Sequence, residues 1–147
     1  MMRTKRSLGA SLGHVGVDWD WTRIVFDHVH IGVRDSSESK RFYSTVLAAL
    51  RIPALWESEQ GAQFANLVFS DDRDPGGPVH IAFVGESREQ VDAFHRVGIE
   101  AGFRDNGAPG VREHYSSEEG GRYYAAFLLA ALFPLVGFAA LRPLRAY

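Results

Sequence analysis

The sequence contains no cysteine among its 147 residues. The chain can therefore form neither disulfide bonds nor bonds between thiolates and metals, and it has no cysteine nucleophile. Any metal would have to be bound by His, Asp, Glu or Tyr. The formal net charge is only -2 and the basic residues are scattered. Because no basic surface is concentrated anywhere in the sequence, we expect no nucleic-acid partner.

Several functional motifs are also missing. The glycines match neither GxxxxGK[ST] nor a strand-linked GxGxxG, and no Gly-x-Ser-x-Gly elbow is present. Residues 1–25 lack the apolar run of a secretion signal, so we expect a cytoplasmic protein. A membrane partner is disfavoured. These residues also show no clear period. We therefore predict an N-terminal extension, open to partial disorder.

The segment 26–129 contains two sequential copies of one strand-then-helix pattern. In the first copy, Val29, Ile31 and Val33 follow the period of two that is typical of a strand. Asp35 and Glu38 then form a capping box at the start of an amphipathic helix. Adding fifty-two to each number gives the second copy, in which these pairs match: His28 with His80, Asp35 with Ser87, Glu38 with Gln90, Phe42 with Phe94, and Ala49 with Ala101.

A shared Val-His-Ile tripeptide favours an offset of fifty, which would pair His30 with His80. We prefer fifty-two, because only this value aligns both helix caps and both phenylalanines without a gap. His28 is then the partner of His80.

The length and the 46% of hydrophobic residues suit one compact domain. Its modules would span about 26–77 and 78–129, followed by an apolar, divergent tail at 130–147.

Further strands are predicted after each helix. In the first module these are Ala54–Ser58 and Gln63–Phe69, followed by a turn at 74–77. In the second module we predict a loop at 106–110 and strands at Val111–Tyr115 and Tyr123–Leu129.

Four runs in this order resemble the vicinal oxygen chelate superfamily, which includes glyoxalases, bleomycin resistance proteins and extradiol dioxygenases. They are FDHVHIGV at 26–33, RFY at 41–43, VHIAF at 79–83 and YYAAF at 123–127. The resemblance implies an α+β fold of two βαβββ modules that form a cup-shaped sheet, here with the last strand altered or missing. It also implies a divalent metal ion (zinc, nickel, manganese or iron), a small-molecule substrate and a homodimer.

Carried over residue by residue, the resemblance assigns His28 and His80 as metal ligands. The family's third ligand is a glutamate on the last strand, after an Asp-Pro-Asp-Gly turn, and this sequence has neither. The sequence therefore predicts a metal-dependent small-molecule enzyme of lyase, isomerase or dioxygenase type with an incomplete metal site. The alternative is a metal-free protein that binds a drug or another small molecule.

Other side chains are candidates for the same pocket. His30 could line the cup or substitute as a ligand, since it shares a strand face with His28. Glu57 and Glu113 could replace the missing carboxylate if their strands face the cup, although exposed glutamates are common on strands. Tyr115 and Tyr123 are the catalytic candidates, because either phenol could donate a hydrogen bond to a substrate oxygen. Either ring could equally cover the core.

Three interpretations of the tail remain open. A change of reading frame after Leu129 would explain the abrupt switch to unrelated apolar sequence. The uncharged stretch Ala125–Leu141, followed by Arg142, could be a membrane anchor, although Pro134 interrupts it. The third interpretation is a divergent helix or strand that packs on the core.

Overall fold

The structure is a computed structural model, and it describes residues 25–77, 79–116, 122–129 and 136–141. The predicted N-terminal extension lies outside these residues except for its last position. Tail residues 130–135 and 142–147 also lie outside them.

The first module is one strand, one helix and three further strands. Its sheet has the order β1-β4-β3-β2, with β1 parallel to β4 and the other neighbours antiparallel. The elements are β1 (Val29–Gly32), α1 (Ser36–Ala49), β2 (Ala54–Glu57), β3 (Gly61–Phe64) and β4 (Leu67–Ser70).

The second module repeats this plan. Its sheet has the order β5-β8-β7-β6, again with the first and last strands parallel. The elements are β5 (His80–Gly85), α2 (Arg88–Glu100), β6 (Arg104–Val111), a 3-10 helix (Glu113–Tyr115), β7 (Tyr124–Leu129) and β8 (Val136–Leu141). The predicted α+β fold of two βαβββ modules is therefore confirmed. The last strand is present, and its sequence is altered.

The offset of fifty-two is confirmed by the starts of the two helices. The Asp35 carboxylate accepts a hydrogen bond from the Glu38 amide at 2.8 Å, and the Ser87 hydroxyl accepts one from the Gln90 amide at 3.3 Å. Each bond satisfies one of the free amides in the first helical turn.

One core joins both modules between the helices and the sheets. Phe42 and Phe94 are both fully buried in it. The Tyr43 ring lies 5.2 Å from that of Phe69 in its own module and 6.2 Å from that of Phe83 in the second module. Burial raises the pKa of the Tyr43 phenol above its usual range.

Three local predictions were wrong. The segment Gln63–Phe69 is not one strand, because a turn at 65–66 divides it into β3 and β4. The predicted loop 106–110 belongs to β6, where shifts in register accommodate its glycines beside β7. The predicted strand Val111–Tyr115 is absent, because Val111 is the last residue of β6 and a 3-10 helix follows at Glu113–Tyr115.

The tail contributes a strand to the sheet. β8 pairs parallel with β5 and antiparallel with β7, so that position 136 lies opposite both His80 and Leu129. The stretch Ala125–Leu141 thus contains two antiparallel strands and is not one helix. In the part of the chain that the structure describes, no helix is long and apolar enough to cross a membrane.

Candidate functional site

Each sheet packs one face against the helices and turns the other face away from them; we call the second face the open face. In β7, Ala126 and Leu128 belong to the main core, whereas Ala125 and Phe127 form a separate cluster with Tyr123. The open face of the second sheet therefore carries Ala125 and Phe127. Because paired residues point to the same side of a sheet, Ala82 and Val84 of β5 share this face.

The two proposed metal ligands lie at the starts of the edge strands β1 and β5. His28 immediately precedes β1, and its Nδ1 atom lies 2.7 Å from the Asp27 carboxylate. His80 is the first residue of β5 and is exposed. β1 and β5 are not hydrogen-bonded to each other, because each is the edge strand of its own sheet.

His30 is tied into a chain of hydrogen bonds on the first sheet. Its Nε2 atom lies 2.8 Å from the Ser70 hydroxyl, which in turn donates to the Asp72 carboxylate. A hydroxyl has a single hydrogen, so Ser70 must accept from His30. This arrangement places a proton on Nε2 and fixes the orientation of the imidazole ring.

Glu57 does not lie on the open face. It pairs with Ala62, which is buried in the core, whereas its neighbour Trp56 pairs with Gln63 on the other side of the sheet. Glu57 instead lines a shallow cavity of about 460 Å³ that also includes Ser44 of α1. It is therefore not placed to replace the missing carboxylate beside His28 or His80.

Glu113, Tyr115 and Tyr123 lie near the end of the second sheet opposite to His80. Glu113 and Tyr115 belong to the exposed 3-10 helix after β6, and the Tyr115 ring meets that of Tyr123 at 5.6 Å. Tyr123 immediately precedes the start of β7, whereas the pairing of β5 with β8 and β7 aligns His80 with the end of β7 at Leu129. The tyrosines thus form an aromatic group separated from His80 along the strand direction.

Arg112 is a residue of the open face that the sequence did not single out. Its guanidinium carbon lies 4.8 Å from the centroid of the Phe127 ring, and one nitrogen donates to the carbonyl oxygens of Ala108 and Ala125. No local pattern distinguishes this arginine from the exposed ones. Only the pairing of β6 with β7 reveals its position.

The donor set does not fit a complete metal centre. Within residues 25–77, 79–116, 122–129 and 136–141, no group of three or more His, Asp or Glu side chains is placed to hold a metal ion. The sequence of β8, Val-Gly-Phe-Ala-Ala-Leu, supplies no carboxylate or imidazole next to His80. A three-ligand site like that implied by the resemblance therefore cannot be assembled from these residues.

Solved structures share this architecture. A glyoxalase/bleomycin resistance protein from Albidiferax ferrireducens T118 is 28% identical, with a TM-score of 0.62, over 81% of this chain and 100% of that one. A glyoxalase/bleomycin resistance protein/dioxygenase family enzyme from Burkholderia phytofirmans PsJN is 20% identical, with a TM-score of 0.54, over 80% and 98%. Lactoylglutathione lyase from Agrobacterium tumefaciens is 11% identical, with a TM-score of 0.57, over 81% and 94%. No sequence-family profile and no curated protein sequence matches the chain.

Two βαβββ modules with this strand order define the glyoxalase/bleomycin resistance class of fold, which the chain shares with these structures. The chain thus has the fold of the vicinal oxygen chelate superfamily, and the resemblance identified in its sequence is confirmed.

Proposed function

We propose that this protein binds a small organic molecule on the open faces of its sheets without a complete resident metal centre. The observation that carries this proposal is β8. The strand occupies the interior position between β5 and β7, directly beside His80, yet its sequence contains no metal-binding side chain. The fold is thus retained while the donor set is incomplete.

The chemistry of the open faces supports this function. Small-molecule sites are mostly apolar and contain a few fixed polar groups. Trp56 is 50% exposed on β2, and Phe127 and Tyr123 form the apolar cluster of the second sheet. His30 supplies a polar group whose orientation is fixed by Ser70.

A metal-dependent enzyme of lyase, isomerase or dioxygenase type is the second candidate. The observation in its favour is the equivalence of His28 and His80, each of which stands at the start of its module's first strand. Two imidazoles leave room for other ligands around zinc, nickel, manganese or iron. A bound ion would supply a Lewis acid for substrate oxygens. This candidate requires a third donor from outside the described residues.

A homodimer would complete the site. Trp56 of β2 and Val84 of β5 leave 50% and 62% of their areas exposed, and both lie on open faces. Exposed apolar side chains of this kind are typical of an interface. A second copy that covers them would turn two open faces into an enclosed cup.

A cytoplasmic location remains a prediction from the sequence.

Metal analysis of the purified protein separates the two candidates. The protein is expressed with zinc, nickel, manganese and iron in the medium, and its metal content is compared with that of His28→Ala, His80→Ala and His114→Ala. His114 is the matched control, because it is an exposed histidine of the 3-10 helix at the far end of the sheet. We expect less than about a tenth of an ion per chain in all four proteins, because two imidazoles without a third donor bind a metal weakly.

One result would instead favour the metal-dependent enzyme. The unmodified protein and His114→Ala would each contain about one metal ion per chain, and both His28→Ala and His80→Ala would have lost it.

A further inference from the structure

The backbone of Arg112 is held rigidly between β6 and the 3-10 helix. Its amide donates to the Tyr123 carbonyl at 2.7 Å. Its own carbonyl accepts from the Tyr115 amide at 3.0 Å and from the Ser116 hydroxyl at 2.9 Å. Three bonds to three different residues leave this position little freedom. The side chain therefore starts from a fixed point.

The guanidinium group is fixed as well. It lies over the Phe127 ring and donates from Nη2 to the carbonyl oxygens of Ala108 at 2.5 Å and Ala125 at 3.2 Å. Gly107 makes room for it, because a Cβ atom there would lie 3.2 Å from Nη2 and 2.9 Å from Phe127. The φ of Gly107 is +150°, which also favours glycine. The sequence thus provides a site that fits this guanidinium.

This site lies over the middle of the open face. Phe127 pairs through β8 with Ala82, which is two residues from His80 on the same face. With strands about 4.8 Å apart, the Phe127 ring stands roughly 10 Å from β5 across the sheet. Arg112 therefore presents its charge toward the same open face as His80.

No carboxylate of the residues that the structure describes lies within ion-pair distance of the Arg112 nitrogens. The charge of Arg112 contributes to the lowered pKa of Asp105, but that carboxylate is hydrogen-bonded to His95 and to the Gly107 amide. The two hydrogen-bond acceptors of Arg112 are neutral carbonyls. Its Nε atom is buried and has no partner within the same residues. A guanidinium is always protonated, and a buried donor without an acceptor is unfavourable. The guanidinium thus donates no hydrogen bond to a negatively charged acceptor among the described residues.

We infer that Arg112 is the anchor for an anionic group of the ligand, either a carboxylate or a phosphate-type group on a small apolar or aromatic molecule. Arginine binds both groups through its planar donors. Phe127 and Tyr123 supply apolar surface for the rest of the ligand. This inference rests on the proposed function, and it adds that the small molecule carries a negative charge.

Nuclear magnetic resonance of the ¹⁵N-labelled full chain tests the inference. Benzoate and phenylphosphonate are the anionic probes, and benzyl alcohol is the neutral probe of similar shape. The Arg112 Nε–H signal, assigned by its loss in Arg112→Gln, reports on the anchor, and ring signals of Phe127 and Tyr123 report on the open face. The variants are Arg112→Gln, Arg112→Lys and Gly107→Ala, with Arg96→Gln as the control because Arg96 is an exposed arginine on α2.

We expect the anions to shift the Arg112 signal saturably, and binding to weaken about tenfold or more in Arg112→Gln. Gly107→Ala keeps the charge but displaces the guanidinium, so it should weaken binding as well. Arg112→Lys should fall in between, and Arg96→Gln should bind as the unmodified protein does. Circular dichroism identifies any variant that fails to fold, and the Arg112 signal of the unmodified protein still decides the question.

Three results overturn the inference, and they differ in what they say about the proposed function. If benzyl alcohol binds the open face as well as the anions do, or if Arg96→Gln loses as much affinity as Arg112→Gln, the small-molecule function stands and the anchor is wrong. If no probe shifts any signal of Arg112, Phe127 or Tyr123, both are wrong.

Discussion

The rings of Phe42 and Phe103 meet edge to face, with their centroids 4.8 Å apart and their planes at 86°. Phe42 lies on α1 of the first module, whereas Phe103 follows α2 in the second. Both side chains belong to the main core, which contains residues of both modules. The two modules therefore share a core, and we expect them to unfold together.

Replacing Phe42 with alanine should lower the free energy of unfolding by about 3–5 kcal/mol, because a fully buried ring leaves a cavity. Urea unfolding followed by circular dichroism and by tryptophan fluorescence measures the loss. Both probes should report one shared transition at a lower urea concentration. The control is Leu55→Ala, since Leu55 is 64% exposed. Two separate transitions, or an equal loss in the control, would contradict a shared core.

Replacing Gly32 with alanine should destabilise the protein by about 1–3 kcal/mol through overpacking. A Cβ atom at this position would lie 2.1 Å from the Asp74 carbonyl oxygen, so the backbone after β4 would have to move. Gly77→Ala is the matched control, because nothing lies within 4 Å of its added Cβ. Thermal unfolding compares the two variants. Equal melting temperatures would show that the backbone around Asp74 does not pack against Gly32 of β1.

Replacing His95 with alanine should raise the pKa of Asp105 toward its usual value. The His95 ring lies 3.0 Å from the Asp105 carboxylate, and this hydrogen bond is the largest cause of the lowered pKa, followed by the Gly107 amide. Because the folded pKa is depressed, the stabilisation is present above the unfolded value and is lost as the pH falls through the folded one. A ¹³C titration of the Asp105 carboxyl carbon measures the shift. An unchanged midpoint in His95→Ala, with His114→Ala as the control, would refute this assignment.

Sedimentation of the purified protein should show a homodimer, and Trp56→Lys or Val84→Lys should shift it to the monomer. Each lysine would place a charge in an apolar interface at a large desolvation cost. Ile99→Lys is the control, since Ile99 is 40% exposed but lies on α2, on the helix side of the sheet. A monomeric unmodified protein would refute the proposed dimer. Dissociation by Ile99→Lys alone would place the interface on the helices.

The sequence predicted the features that depend on neighbours within a few positions. The Asp35 and Ser87 caps, the period of two in β1, and the burial of Phe42 and Phe94 all appear where the offset of fifty-two places them. The reason is physical: a cap joins positions three apart, and an apolar face repeats with the period of its own helix or strand. The repeat could therefore be read from the chain alone, whereas the fold class followed from the family resemblance.

Tertiary structure decided everything that depends on which strand lies beside which. Strand pairing brings the glycine-rich segment 106–110 into β6, turns Glu57 toward α1, inserts the apolar tail as β8 beside His80, and places Arg112 over Phe127. Partners across a sheet are separated by many positions in sequence, so no local pattern encodes them. Their geometry is fixed only when the backbone hydrogen bonds of all the described strands are satisfied together.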